Sequence, residues 1–170
     1  LREVGLDPTT LQLELTESVW LNSSPEALAL FRQLSDMGIQ LHMDDFGTGY
    51  SSLAYLQHFP IRMLKIDRTF LNKMDDDNKT KKILHAMIAM AHDLGIESLA
   101  EGVETIEQLA HLKRLNCNYG QGYLMSRPVD PAAIEKLLTA QRLKHAGQRK
   151  YSQRKRQKAN TSVRVAEASA

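Results

Sequence analysis

The chain has 170 residues, 42% apolar and 25% charged, with one cysteine, a composition ordinary for a globular protein. No apolar run reaches the length of a membrane span and no signal-peptide pattern is present, while the lone Cys117 excludes an intramolecular disulfide and suits a reducing cytosol, so a cytoplasmic location is expected. The net charge of +2 hides a split: residues 1–140 carry 13 basic and 19 acidic side chains, net −6, and residues 141–170 carry 9 basic and one acidic, net +8.

In chain order, Leu11 to Glu17 reads as a strand. Side chains alternate between the faces of a strand, so Leu11, Leu13 and Leu15 share one face and Gln12 and Glu14 the other. Ser24 to Gly38 reads as a helix, with Ser24 as N-cap, Pro25 in the first helical position and Gly38 as terminator. Leu28, Phe31 and Leu34 form its apolar stripe. Ile39 to Met43 is a second strand, running into Asp44-Asp45-Phe46-Gly47-Thr48-Gly49-Tyr50-Ser51-Ser52-Leu53. Met63 to Asp67 is a third, with Leu64 and Ile66 opposing Lys65 and Asp67.

Lys79 to Leu94 reads as a longer helix whose Ile83, Leu84, Met87, Met90, Ala91 and Leu94 face a core, with Gly95 as stop. Glu97 to Glu104 is a fourth strand segment. A helix from Thr105 to Leu115 follows, then a short fifth strand from Tyr119 to Leu124. Asp130-Pro131 opens a last helix to about Leu143. This alternation argues for βα units and a parallel sheet. The methionines read as core packing. The six histidines are scattered and read as surface or helix residues, except His42, which can line a barrel interior. Residues 144–170 read as a basic, disordered tail. Its stretch 149–158 could touch nucleic acid or anionic lipid, but a solvated tail without a partner is the favoured reading.

The chemistry concentrates at the strand ends. Adjacent carboxylates such as Asp44 and Asp45 repel, and both stay ionised in a folded site only with cations nearby. A loop with two glycines lets backbone approach an anionic ligand closely. Metal plus phosphate is the first chemistry to consider; a strand end entering an Asx-type turn is the bland alternative. Glu14, Asp44, Lys65 and Glu101 can all point one way if their strands are parallel neighbours. No cysteine or histidine cluster suggests zinc.

Five motifs carry a resemblance: Glu14-Leu15-Thr16-Glu17-Ser18, the run 44–53, Leu64-Lys65-Ile66-Asp67, Ala100-Glu101-Gly102-Val103-Glu104, and residues 120–128 from Gly120 to Pro128. Together, over about residues 1–140, they resemble the EAL-domain phosphodiesterases, which hydrolyse cyclic di-GMP to linear pGpG. The resemblance implies an α/β fold, an incomplete TIM-type barrel of about five parallel strands alternating with helices. It implies a site of two cations, magnesium or manganese. Glu14, Asp44 and Asp45 match metal-binding carboxylates, with Asp45 as the bridging ligand. Lys65 matches the lysine that contacts the attacking water, and Glu101 the glutamate that binds metal and water and is discussed as general base. Gln121 resembles a water- and metal-supporting residue. Glu17 and Asp67 resemble supports for the loop 46–53, through hydrogen bonds to groups such as Ser51. Glu104 is expected to assist.

The same resemblance places a Glu-Ala-Leu strand, a phosphate-binding arginine and an asparagine ligand upstream of Glu14. Glu26-Ala27-Leu28 is not that motif, because it opens a helix. Residues 1–143 are therefore expected to be the C-terminal portion of a domain of about 240–250 residues, inactive alone. The complete parent is expected to bind cyclic di-GMP; it could form a homodimer and could carry a sensory or cyclase domain or a membrane anchor further upstream, which the sequence leaves open. The alternative is a non-catalytic module that binds cyclic di-GMP or a partner protein. The substrate-contacting residues are not assigned.

Overall fold

The computed structural model describes residues 1–49, 56, 59–74 and 77–140. The chain divides into two compact units, Leu1–Arg127 and Pro128–Ala170. In the second, residues 131–140 are helical. The boundary expected at residue 143, and the tail beyond it, lie outside the described residues. Among the described residues, no helix is long and apolar enough to cross a membrane.

The first unit is built on a five-stranded sheet. After two short 3-10 turns come β1 (Gln12–Thr16), α1 (Glu17–Leu21), α2 (Pro25–Asp36), β2 (Gln40–Phe46), β3 (Met63–Ile66), α3 (Arg68–Asn72), α4 (Asn78–Asp93), β4 (Glu97–Glu101), α5 (Ile106–Arg114) and β5 (Tyr119–Gln121). The strands lie in the order β1-β2-β3-β4-β5, and every neighbouring pair is parallel. Parallel neighbours need a crossover between them; α1 and α2 supply it between β1 and β2, α3 and α4 between β3 and β4, and α5 between β4 and β5.

Local sequence sets the element ends. The Ser24 hydroxyl accepts the Ala27 amide at 3.3 Å and Pro25 opens α2. The Asp77 carboxylate accepts the Lys79 and Thr80 amides at the start of α4. Thr105 and Gln108 form a reciprocal capping box on α5. Gly38 and Gly95 end α2 and α4 with positive φ.

The two faces of the sheet differ in kind. Leu41, Met43, Leu64, Ile66 and Ala100 point to the helices and are buried with Phe31, Leu84, Met87, Ile88, Ala91 and Leu112. The opposite face carries Gln12, Glu14, His42, Asp44, Lys65 and Glu101, the in-between positions of the same strands. His42 is 2% exposed and lies on that polar face, as expected. The methionines divide: Met43, Met63, Met74 and Met87 are buried, whereas Met37 and Met125 are exposed.

Three expectations need correction. The buried stripe of α4 is Thr80, Leu84, Met87, Ile88 and Ala91; Ile83 and Leu94 are 48% and 40% exposed. The stripe is rotated because α4 begins at Asn78 and its axis presents Ile88, rather than Ile83, to the sheet. Glu17 is not the last residue of a strand but the first of α1, where a carboxylate favours the amino end of a helix. The fourth strand stops at Glu101, because Gly102 turns the chain with φ +71°.

Candidate active site

The carboxyl ends of β1 to β4 converge on one ammonium. Lys65 Nζ lies 2.9 Å from Glu14 Oε2, 2.8 Å from Asp44 Oδ1 and 2.9 Å from Glu101 Oε1. The register explains this. Met43 pairs with Leu64, so Asp44 stands level with Lys65, and Lys65 pairs with Leu99, so Glu101 stands two residues further along the neighbouring strand, on the same polar face. Lys65 is 6% exposed. Burial alone would pull its ammonium down, but hydrogen bonds to Asp44, Glu101 and Glu14 and the Glu101 charge outweigh that, and the group is held well above the ordinary lysine value. It is charged throughout the physiological range.

Asp45 joins the cluster by a different device. On a regular strand it would face the core beside Met43. Instead the pairing with β3 slips between Met43 and Phe46, and Asp45 takes a left-handed φ of +55°. Such a bulge re-aims a side chain and is over-represented next to active sites. Its result is that Asp44, Asp45 and Glu101 each offer a carboxylate oxygen within 4.8 Å of the others. Glu14 does not join that group; it stands on Lys65, with its side chain 48% exposed.

The segment after Asp45 is pinned. Thr48 donates its amide and its hydroxyl to the Asp45 carbonyl, at 3.2 and 2.9 Å. Glu17, 3% exposed on the first turn of α1, accepts the Gly47 amide at 3.1 Å. Gly47 has φ +94°, and a Cβ built there would lie 2.6 Å from Met87 Cε and 2.7 Å from the Phe70 ring. Only glycine fits.

The other expected site residues are placed as follows. Asp67 caps α3 and accepts the Thr69 amide at 2.9 Å. Burial would raise its carboxyl, but hydrogen bonds from Thr69 and Arg68 hold it below the ordinary aspartate range. Glu104 is exposed, and its amide donates to Gln108 Oε1 at 2.8 Å. Gln121 is exposed on β5, in register with Glu101. Ser51 lies outside the described residues. Sequence reasoning read Met87 only as core packing and did not single out Phe70; the signal that could have tied them to the site is a glycine two residues after the site aspartates, at a close approach of the backbone to its neighbours.

The site opens along the polar face into a cavity of about 460 Å³, whose wall includes Glu14, Lys65 and Gln121 together with Gln12, Gln40, His42, Arg62, Glu97 and Tyr119. Arg62 pairs with Glu97 at 3.2 Å, and Tyr119 donates to the same carboxylate at 3.4 Å. Burial holds His42 below its usual value.

Three carboxylates without thiolate or imidazole are a hard, all-oxygen donor set, which suits magnesium, manganese or calcium. A parallel sheet with its reactive groups gathered at the strand carboxyl ends defines an α/β protein of the barrel type. The chain belongs to the EAL domain family, whose model matches residues 1–128. It is 44% identical over 142 residues to the cyclic di-GMP phosphodiesterase NbdA of Pseudomonas aeruginosa, covering 84% of this chain and 18% of that protein. A solved structure of PaMucR phosphodiesterase in complex with c-di-GMP matches with a TM-score of 0.75 at 42% identity, over 79% of this chain and 54% of that one. Klebsiella pneumoniae BlrP1, solved with manganese and cy-diGMP, matches with a TM-score of 0.69 at 32% identity, over 75% of this chain and 33% of that one. The chain thus spans about a fifth of the curated relative and about half or less of these solved chains.

Proposed function

We propose that this chain forms catalytic machinery of a divalent-metal-dependent phosphodiesterase that opens cyclic di-GMP to linear pGpG. The observation that carries the reading is the convergence of Glu14, Asp44 and Glu101 on Lys65 with Asp45 turned toward them. The names and contents of the related structures, cyclic di-GMP and manganese among them, support the same substrate and metal class.

Asp44, Asp45 and Glu101 would hold magnesium or manganese, and Glu14 would complete a two-cation site. Bound there, such ions supply Lewis acidity toward phosphoryl oxygen and a lowered pKa for water. The protein's own groups do the rest. Glu101 accepts a proton from the attacking water. The Lys65 ammonium, permanently charged and fixed by three carboxylates, stabilises negative charge as hydroxide character develops. The water oxygen bonds to phosphorus, the bond from phosphorus to the 3′ oxygen breaks, and that oxygen leaves as a hydroxyl by taking a proton from solvent, to which Glu101 returns the proton it accepted. One phosphodiester is lost and a 5′-phosphate is gained. Glu17 acts at one remove, by holding the segment that presents Asp45, and Asp67 acts further back, by capping α3.

The test is cyclic di-GMP turnover by the protein that carries this chain, with magnesium or manganese and with chelator, pGpG being followed by chromatography. The reading expects pGpG only with the divalent ion, and its loss in Lys65→Ala. Binding of cyclic di-GMP without turnover under either metal would favour a non-catalytic module instead.

A further inference from the structure

We infer that Phe70 and Met87 are positioning residues for Asp45: their side chains form the seat that holds the bulged segment 45–47 in its ligand-presenting shape. The inference rests on the metal-site reading above and deepens it.

A non-glycine residue at φ +55° is strained, and such a conformation persists only where its surroundings over-determine it. The surroundings here can be named. Before the bulge, Met43 is locked into the core at 2% exposure; directly after Asp45, Phe46 is buried at 3% and pairs with Ile66. Gly47 then crosses so close to α3 and α4 that a methyl group would meet Phe70 Cε2 and Cζ at 2.7 Å and Met87 Cε at 2.6 Å. The Gly47 amide is held by Glu17 of α1. The chain at 45–47 is therefore held by groups from α1, α3 and α4.

Neither Phe70 nor Met87 is itself a candidate ligand. Both belong to the core on the helical side of the sheet, Met87 buried within it and Phe70 packed against it. What distinguishes them is that their tips also lie against the backbone of a site segment at Gly47. Removing either opens space beneath Gly47, and the segment can then relax toward a regular strand, on which alternation turns Asp45 toward the core. The three-carboxylate group would lose a member without any ligand being mutated.

The experiment compares Phe70→Ala and Met87→Ala with Phe70→Leu and Met87→Leu, which keep most of the bulk and guard against a variant that fails to fold. Ile88→Val, a change at 0% exposure elsewhere on α4, is the control for simple loss of packing. Two readouts are taken on the folded protein that carries this chain, unmutated and in each variant: hydrogen exchange of the Gly47 amide without metal, and manganese affinity by electron paramagnetic resonance. The alanine variants should exchange Gly47 faster and bind manganese about tenfold more weakly. The leucine variants should recover most of both, and Ile88→Val should change neither. Unchanged Gly47 exchange, unchanged manganese affinity, or equal losses in Ile88→Val would each overturn the seat. If the unmutated chain binds no manganese, the metal-site reading fails and the seat with it; normal binding there, with no change in the variants, sinks the seat alone.

Discussion

The Glu17 carboxylate accepts the Gly47 amide at 3.1 Å, although the two residues are 30 apart in the chain. This bond ties the first turn of α1 to the residue that leaves the site aspartates. Glu17→Ala is expected to remove a charged hydrogen bond costing about 1.5–3 kcal/mol of local order. The concentration of manganese needed for half-maximal activity should rise, with turnover at saturating metal falling less. A metal titration at fixed substrate checks this; lost turnover with an unchanged metal requirement would give Glu17 a direct role.

Lys65 balances three carboxylates, so its loss should be felt before any chemistry. In Lys65→Met the metal-free protein should lose about 2 kcal/mol, less than the 3–5 kcal/mol of a fully buried broken pair because Glu14 is half exposed. Divalent ions should then raise the melting temperature of the variant more than that of the parent, because a cation replaces the missing ammonium among the carboxylates. Calorimetric melts with and without manganese measure both effects, and equal metal-free melting temperatures would contradict them.

Asp67 gives a prediction with a pH sign. Its carboxyl is held below the ordinary range chiefly by Thr69, against the opposing effect of burial. As pH falls, the unfolded chain therefore takes up this proton first. The stabilisation is whole above about pH 4, the unfolded value, and is lost as pH drops through the folded one. Asp67→Ala should cost about 1 kcal/mol at neutral pH, typical of a lost helix cap. That difference should be flat from about pH 6 to 8 and shrink below about pH 4 in urea denaturation. Because α3 also carries Phe70, the same variant should loosen the Gly47 amide in hydrogen exchange.

The site was legible to the extent that it obeys alternation. Glu14, Lys65 and Glu101 were placed on one face by counting along strands, and Asp44 by its opposition to Met43; the parallel register then brings all four together. Asp45 was not reachable that way. Counting puts it on the core face, and only the slipped pairing and left-handed φ turn it back; the repulsion of two adjacent carboxylates and the family resemblance, not alternation, point to it. The five-residue helices α1 and α3 were missed because each follows a strand with no spare turn in which helical periodicity could develop. The expected stripe of α4 shared Leu84, Met87 and Ala91 with the buried one but took in Ile83 and Leu94 in place of Thr80 and Ile88, because apolar residues continue round both edges of that face and the sequence alone does not say which edge meets the sheet. Capping signals fared best: Ser24, Pro25 and Thr105 stand where their chemistry placed them.

The central claim is that the Asp44–Asp45–Glu101 group serves metal-dependent hydrolysis of cyclic di-GMP. The most direct measurement is steady-state pGpG formation by the protein carrying this chain and by its Asp45→Asn variant, across a manganese titration, with thermal melts to establish that both are folded. The account predicts metal-dependent turnover in the parent. In the variant, which keeps the side-chain shape and loses the ligand charge, turnover should fall by roughly a hundredfold or more and manganese affinity should fall with it. Near-parental turnover by a folded Asp45→Asn protein, at an unchanged manganese requirement, would contradict it.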